Sequence, residues 1–102
     1  MKLIVVTCLK EDQQKAGKLL LQAGVQVYSA SPATGYKNEQ ETNLLNAWFS
    51  AGSEAYDSVF MYSFTTAESA QKALALVKAY NLENDTDFPL RAFILPVEQH
   101  SY

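Results

Sequence analysis

The side chains able to ligate a metal or attack a substrate are few and scattered. Cys8 is the sole cysteine and His100 the sole histidine. Cys8, Met61, Glu98 and His100 are metal-donor types, but their spacing forms no recognised ligand set. Only an oligomer, by converging several copies of Glu98 and His100, would gather them, and no metal ligand is assigned. Gly-x-Ser-x-Gly, His-Glu-x-x-His, Walker and Gly-x-Gly-x-x-Gly patterns are all absent. Cys8 ends an apolar run and reads as a small core residue, with no histidine placed to activate it. General acid–base work needs a positioned acid and base, and no such pair stands out. No catalytic residue is assigned, and the chain reads as a non-enzyme.

The most suggestive segment is residues 37 to 54, rich in Asn, Gln, Glu and Ser, with one apolar island, Leu44-Leu45-Asn46-Ala47-Trp48-Phe49. A connection of this length is usually functional or disordered. One reading makes it a partner-docking loop with Leu44, Leu45, Trp48 and Phe49 as interface anchors. The other extends a hairpin there and packs the same residues on a neighbouring subunit.

The elements around that segment follow from periodicity. Residues 3 to 8 form an unbroken β-branched run, a buried strand. Over residues 11 to 23 the period changes: Ala16, Leu19, Leu20 and Ala23 make one helical stripe, and Gly24 stops it. Residues 25 to 30 alternate as a second strand, with Pro32 and Gly35 marking its end, a bulge or an edge. Residues 58 to 64 make a third strand. Thr65 and Glu68 have capping-box spacing, with Thr65 as N-cap. Ala70, Ala73, Leu74 and Val77 supply the second helical stripe, with Asn81 as its expected stop. A polar turn over residues 84 to 87 leads to a last strand, 90 to 97, closed by Pro96. The order is βαββαβ. With right-handed crossovers this predicts one α+β domain over residues 1–102, a ferredoxin-like sandwich of a four-stranded antiparallel sheet with two helices on one face. A long loop falls at about 37–56.

Such a sheet has one face that its own helices leave bare, and that face should be polar in a monomer. Here Leu3 and Val5 oppose Ile4 and Val6, while Val59 and Met61 oppose Phe60, Tyr62 and Phe64. An apolar second face exceeds what a soluble monomer tolerates, and another copy of the chain is the simplest cover. The alternative cover is the C-terminal tail or the long loop folding back.

The 102 residues, 48% of them hydrophobic, fit one domain with a core of its own. A net charge of −3 argues against a nucleic-acid partner. One cysteine excludes an intramolecular disulfide and suits a reducing compartment. The apolar start is too short for a secretory signal, and no stretch nears the ~20 apolar residues of a membrane span. A cytoplasmic protein is expected.

Several stretches resemble the PII-like signalling proteins, relatives of the nitrogen-regulatory PII proteins. These are the opening Met1-Lys2-Leu3-Ile4, the first helix ending in Gln22-Ala23-Gly24-Val25, and the Ala33-Thr34-Gly35-Tyr36 step. The resemblance implies a homotrimer with sheets facing inward and a T-loop at residues 37 to 54. It also implies small-effector sites in the clefts between subunits, often for adenine nucleotides. Carried over, the T-loop base supplies Gly35, Tyr36, Lys37 and Gln40, and the turn before the last strand supplies Arg91. ATP-binding relatives use a glycine-rich turn there, whose free N–H groups approach phosphates. Here Asn84-Asp85-Thr86-Asp87-Phe88-Pro89 is acidic and glycine-free, and Gln99-His100-Ser101-Tyr102 supply no basic segment. Both features argue against ATP, and no cofactor is named. The reading is a regulatory protein whose loop docks on a target, a membrane transporter or an enzyme. Two alternatives share the ferredoxin-like core: a metal-binding or metal-tolerance trimer like the CutA proteins, and a small αβ-barrel enzyme.

Overall fold

The computed structural model describes residues 1–38 and 53–101, with backbone alone at 37, 38, 53 and 54. Leu44, Leu45, Trp48, Phe49 and Gln40 lie outside the described residues. Strand β1 (Lys2–Leu9) runs through a 3-10 turn at Lys10–Asp12 into helix α1 (Gln13–Gln22). Strands β2 (Ser29–Asn38) and β3 (Ser53–Thr65) follow, then helix α2 (Ala67–Glu83) and strand β4 (Arg91–Pro96). The sheet order is β2-β3-β1-β4 with every neighbouring pair antiparallel. This is the ferredoxin-like α+β arrangement, two split βαβ units with their helices on one face.

The core lies between that face and the helices. Ile4, Val6 and Cys8 of β1 and Val59 and Met61 of β3 meet Ala16, Leu20 and Ala23 of the first helical stripe. Ala70, Ala73 and Val77 of α2 complete it. Small alanines let both helices approach the sheet closely. Met61 sits at its centre with no exposure.

Helix α1 ends as its sequence demands. Gly24 takes φ 91°, a left-handed value that glycine adopts without a Cβ penalty. Its N–H donates to the Leu21 carbonyl at 3.0 Å, and the Val25 N–H donates to that of Leu20 at 2.9 Å, the paired bonds of a Schellman motif. Val25 is thereby buried, and residues 25 to 28 are not ladder strand as the alternation suggested. The Ser63 hydroxyl donates to the Val27 carbonyl and ties this segment to the sheet instead. The second strand starts later and runs further than expected. Pro32 lies inside it, opposite Val59, which an edge strand tolerates.

Two further boundaries move for physical reasons. Thr65 pairs with Lys2 in the ladder, so Thr66 is the N-cap, its hydroxyl accepting the Ser69 N–H at 3.1 Å. Glu68 instead lies 3.8 Å from Lys72, an exposed pair of little energetic weight. Asn81 does not stop α2. Its side-chain amide donates to the Leu90 carbonyl at 2.7 Å, and its carbonyl oxygen accepts the Leu90 N–H at 3.1 Å. This two-point clasp holds the chain where it turns from α2 into β4.

Burial makes Met61 a costly core position to truncate. Met61→Ala should lower unfolding free energy by about 2–5 kcal/mol, read as a shift of the urea midpoint at unchanged slope.

Candidate functional site

Register places rows of side chains on the sheet face away from the helices. Leu95, Leu3 and Phe64 form one row, and Phe93, Val5 and Tyr62 the next. Arg91, Thr7 and Phe60 form a third. Along the strands this face changes from apolar to polar. At the apolar end Phe64 is 58% exposed, Phe93 51% and Leu95 43%. Phe60 and Tyr62 lie with ring centroids 5.7 Å apart. The sequence placed apolar residues of β1 and β3 here, and Phe93 and Leu95 extend the patch across β4.

The polar end holds a cleft of about 210 Å³, lined by Thr7, Leu9, Tyr56, Ser58, Asp87, Phe88 and Arg91, with Cys8 and Pro89. A shallower groove of about 570 Å³ adjoins it past Tyr56 and Phe88, edged by Lys10, Glu11 and Asp57. Three strands and one turn build the walls. The open-face alternation of β1 and β3 supplies Thr7, Leu9, Ser58 and Tyr56. Arg91 opens β4 beside Thr7. The turn between α2 and β4, held at Leu90 by Asn81, supplies Asp87 and Phe88.

Tyr56 and Phe88 are the centre of this geometry. Their rings meet edge to face, centroids 5.0 Å apart at 61°, a favoured aromatic arrangement. Tyr56 also lies over Gly35, its ladder partner on β2, and a Cβ at that position would collide with the ring. Gly35 therefore belongs to the cleft as a space left for Tyr56.

The sequence-predicted site residues divide accordingly. Arg91 lines the cleft and Gly35 underlies one wall. Tyr36 is paired with Ala55, on the opposite face of the ribbon, and is 70% exposed. Lys37 pairs with Glu54 in the ladder and is placed by backbone register alone. Thus the edges of the segment read as a loop, 37–38 and 53–56, are strand. Tyr56, Phe88 and Asp87 were missed. The alternation of Ala55-Tyr56-Asp57-Ser58-Val59 was the signal that β3 begins before Ser58.

Cys8 reaches the cleft's inner edge but behaves as core. Burial chiefly, with the Asp12 carboxylate second, pushes its thiol from 9.0 up to about 11. Such a thiol is a weak nucleophile at neutral pH. Cys8 and Met61 are buried on the helix side, whereas Glu98 and His100 are exposed beyond β4. Among the described residues no three His, Cys, Asp or Glu side chains gather to hold a metal. No helix among them is long and apolar enough to cross a membrane.

Gly35→Ala should push the Tyr56 ring off Phe88, seen as altered near-ultraviolet circular dichroism and ring NMR shifts with the helical signal retained. Cys8 should resist iodoacetamide in the native protein near pH 8 and react once unfolded. Its raised value also fixes a pH trend. The folded thiol keeps its proton while the unfolded one ionises, so stability should fall as pH rises from about 9 to about 11. Cys8→Ala should flatten that part of the urea-midpoint profile.

No family model matches the sequence, and no curated protein matches it. Solved structures do match, at low identity. Bacillus subtilis GlnK aligns at TM-score 0.70 and 13% identity, over 95% of this chain and 84% of that one. The B. subtilis GlnK–ATP complex aligns at TM-score 0.69 and 11% identity, over 95% and 82%. A Thermus thermophilus protein described as a PII-like signalling protein aligns at TM-score 0.56 and 13% identity, over 91% and 82%. The fold of this chain is the one these GlnK and PII-like signalling structures share.

Proposed function

We propose that this chain is a PII-like regulatory protein that assembles as a homotrimer and binds a small effector in clefts at its subunit boundaries. The observation that carries the reading is the gradient along the open sheet face. Its apolar rows end where the Tyr56–Phe88–Arg91 cleft begins. A second copy seated on Phe64, Phe93 and Leu95 leaves the cleft at the rim of the contact, where that copy can complete its walls.

A cleft occupant touches Tyr56, and Tyr56 lies over Gly35 on the ribbon leading to residues 39–52. On this reading an occupant acts on target docking only as far as its affinity differs between the docked and undocked protein. Gln40 belongs to the effector side of this reading, and Leu44, Leu45, Trp48 and Phe49 to target docking, on a transporter or an enzyme. GlnK forms an ATP complex. Here the acidic, glycine-free turn at 84–89 disfavours a triphosphate. The CutA-like metal alternative draws no support from the dispersed donors, and the chain acts as a regulator rather than an enzyme, in the cytoplasm.

Fully burying a phenylalanine or leucine side chain is worth roughly 1.5–3 kcal/mol, so polar replacements should break the assembly. Phe64→Ser with Phe93→Ser should shift sedimentation to the protomer while leaving the far-ultraviolet spectrum intact. Unchanged sedimentation would place the subunit contact elsewhere and remove the basis for a shared cleft.

A further inference from the structure

We propose that Asp87 is a specificity-determining residue, restricting the cleft to planar ligands that carry a single anionic group. This rests on the effector-cleft reading above and names the chemistry it selects. The walls formed by Tyr56 and Phe88 offer aromatic surface for a flat ring, which stacks or packs edge-on with little demand on its identity. Thr7 adds a hydroxyl to the lining, and the Ser58 hydroxyl, which donates to the Ala33 carbonyl at 3.3 Å, can still accept. Among the described residues Arg91 is the cation lining the cleft, and its guanidinium matches one carboxylate or one phosphate. Asp87 shares the same cleft and opposes any further negative charge.

The adjoining groove gives a chain of phosphates nowhere better to go. Lys10 is there, but so are Glu11 and Asp57. Among the described residues, the space beyond Arg91 is edged by the carboxylates of Asp87, Glu11 and Asp57 against the one ammonium of Lys10. An amino group on the ring is well matched to Asp87, whose carboxylate accepts hydrogen bonds. The combination favours a ring with an amine and one anion over the same ring with a polyphosphate.

The adenosine series isolates charge at constant ring. Calorimetry on the full chain in its assembled state, with divalent metals removed, would compare adenosine, adenosine monophosphate, diphosphate and triphosphate. The monophosphate should bind tightest, with the triphosphate weaker by roughly tenfold, the scale of one partly exposed charge interaction. Asp87→Asn should recover most of that loss for the triphosphate and leave adenosine unchanged. Arg91→Ala should erase the advantage of the monophosphate over adenosine. Triphosphate binding as tight as monophosphate, or a triphosphate affinity indifferent to Asp87→Asn, would overturn the role of Asp87 while leaving the cleft standing. No binding across the series would overturn the ligand class proposed here. Binding indifferent to both Tyr56→Ala and Arg91→Ala would overturn the cleft reading itself.

Discussion

The central sheet is apolar on both faces, and two helices can cover only one. The helix side is solved within the chain: alanines of α1 and α2 approach closely, and Met61 and Ile4 are sealed beneath them. On the other side the chain relies on neighbouring strands. Val5 is 8% exposed although no helix covers it, because Phe93 and Tyr62 flank it in the register. Those flanking side chains stay open, so the cost of the second face moves outward to Phe64, Phe93 and Leu95. The rest of the functional reading follows from this displaced cost.

The same strands that create the problem also set the cleft. Beyond Thr7 and Phe60 the open face carries Leu9 and the small Ser58, and the space above them is walled by Tyr56 and the turn before β4. Asn81 closes that turn by pairing with both backbone groups of Leu90. The turn is thereby fixed at its far end, and Phe88 can hold the Tyr56 ring. Gly35 leaves the room that ring needs. One aromatic contact thus joins two stretches distant in the sequence, the β2–β3 ribbon and the α2–β4 turn.

The architecture was legible because its signals were periodic. The alternation of Ile4 and Val6 against Leu3 and Val5 revealed two apolar faces, and the helical stripes at Ala16–Leu20–Ala23 and Ala70–Ala73–Val77 named the core. The boundaries were less legible, because local preference competes with pairing. Thr65 has the chemistry of a cap but is held in the ladder opposite Lys2, and Asn81 resembles a helix stop while its amide serves Leu90. The cleft was half visible. Arg91 came from the resemblance to the PII-like proteins, which puts a residue from the entry to the last strand in the cleft. Tyr56 and Phe88 could not be placed, since their contact spans distant parts of the sequence and depends on where β3 begins. Tyr36 follows strand parity: once Gly35 faces Tyr56, its neighbour must face away.

Other copies of the chain are the cover proposed for the open face. Light scattering coupled to size-exclusion chromatography, on the unmodified protein at low micromolar concentration, measures this directly. A single species with the mass of three 11.3 kDa protomers is expected. A stable species at the mass of one protomer would contradict that cover, because Phe64, Phe93 and Leu95 would then be shown to need none.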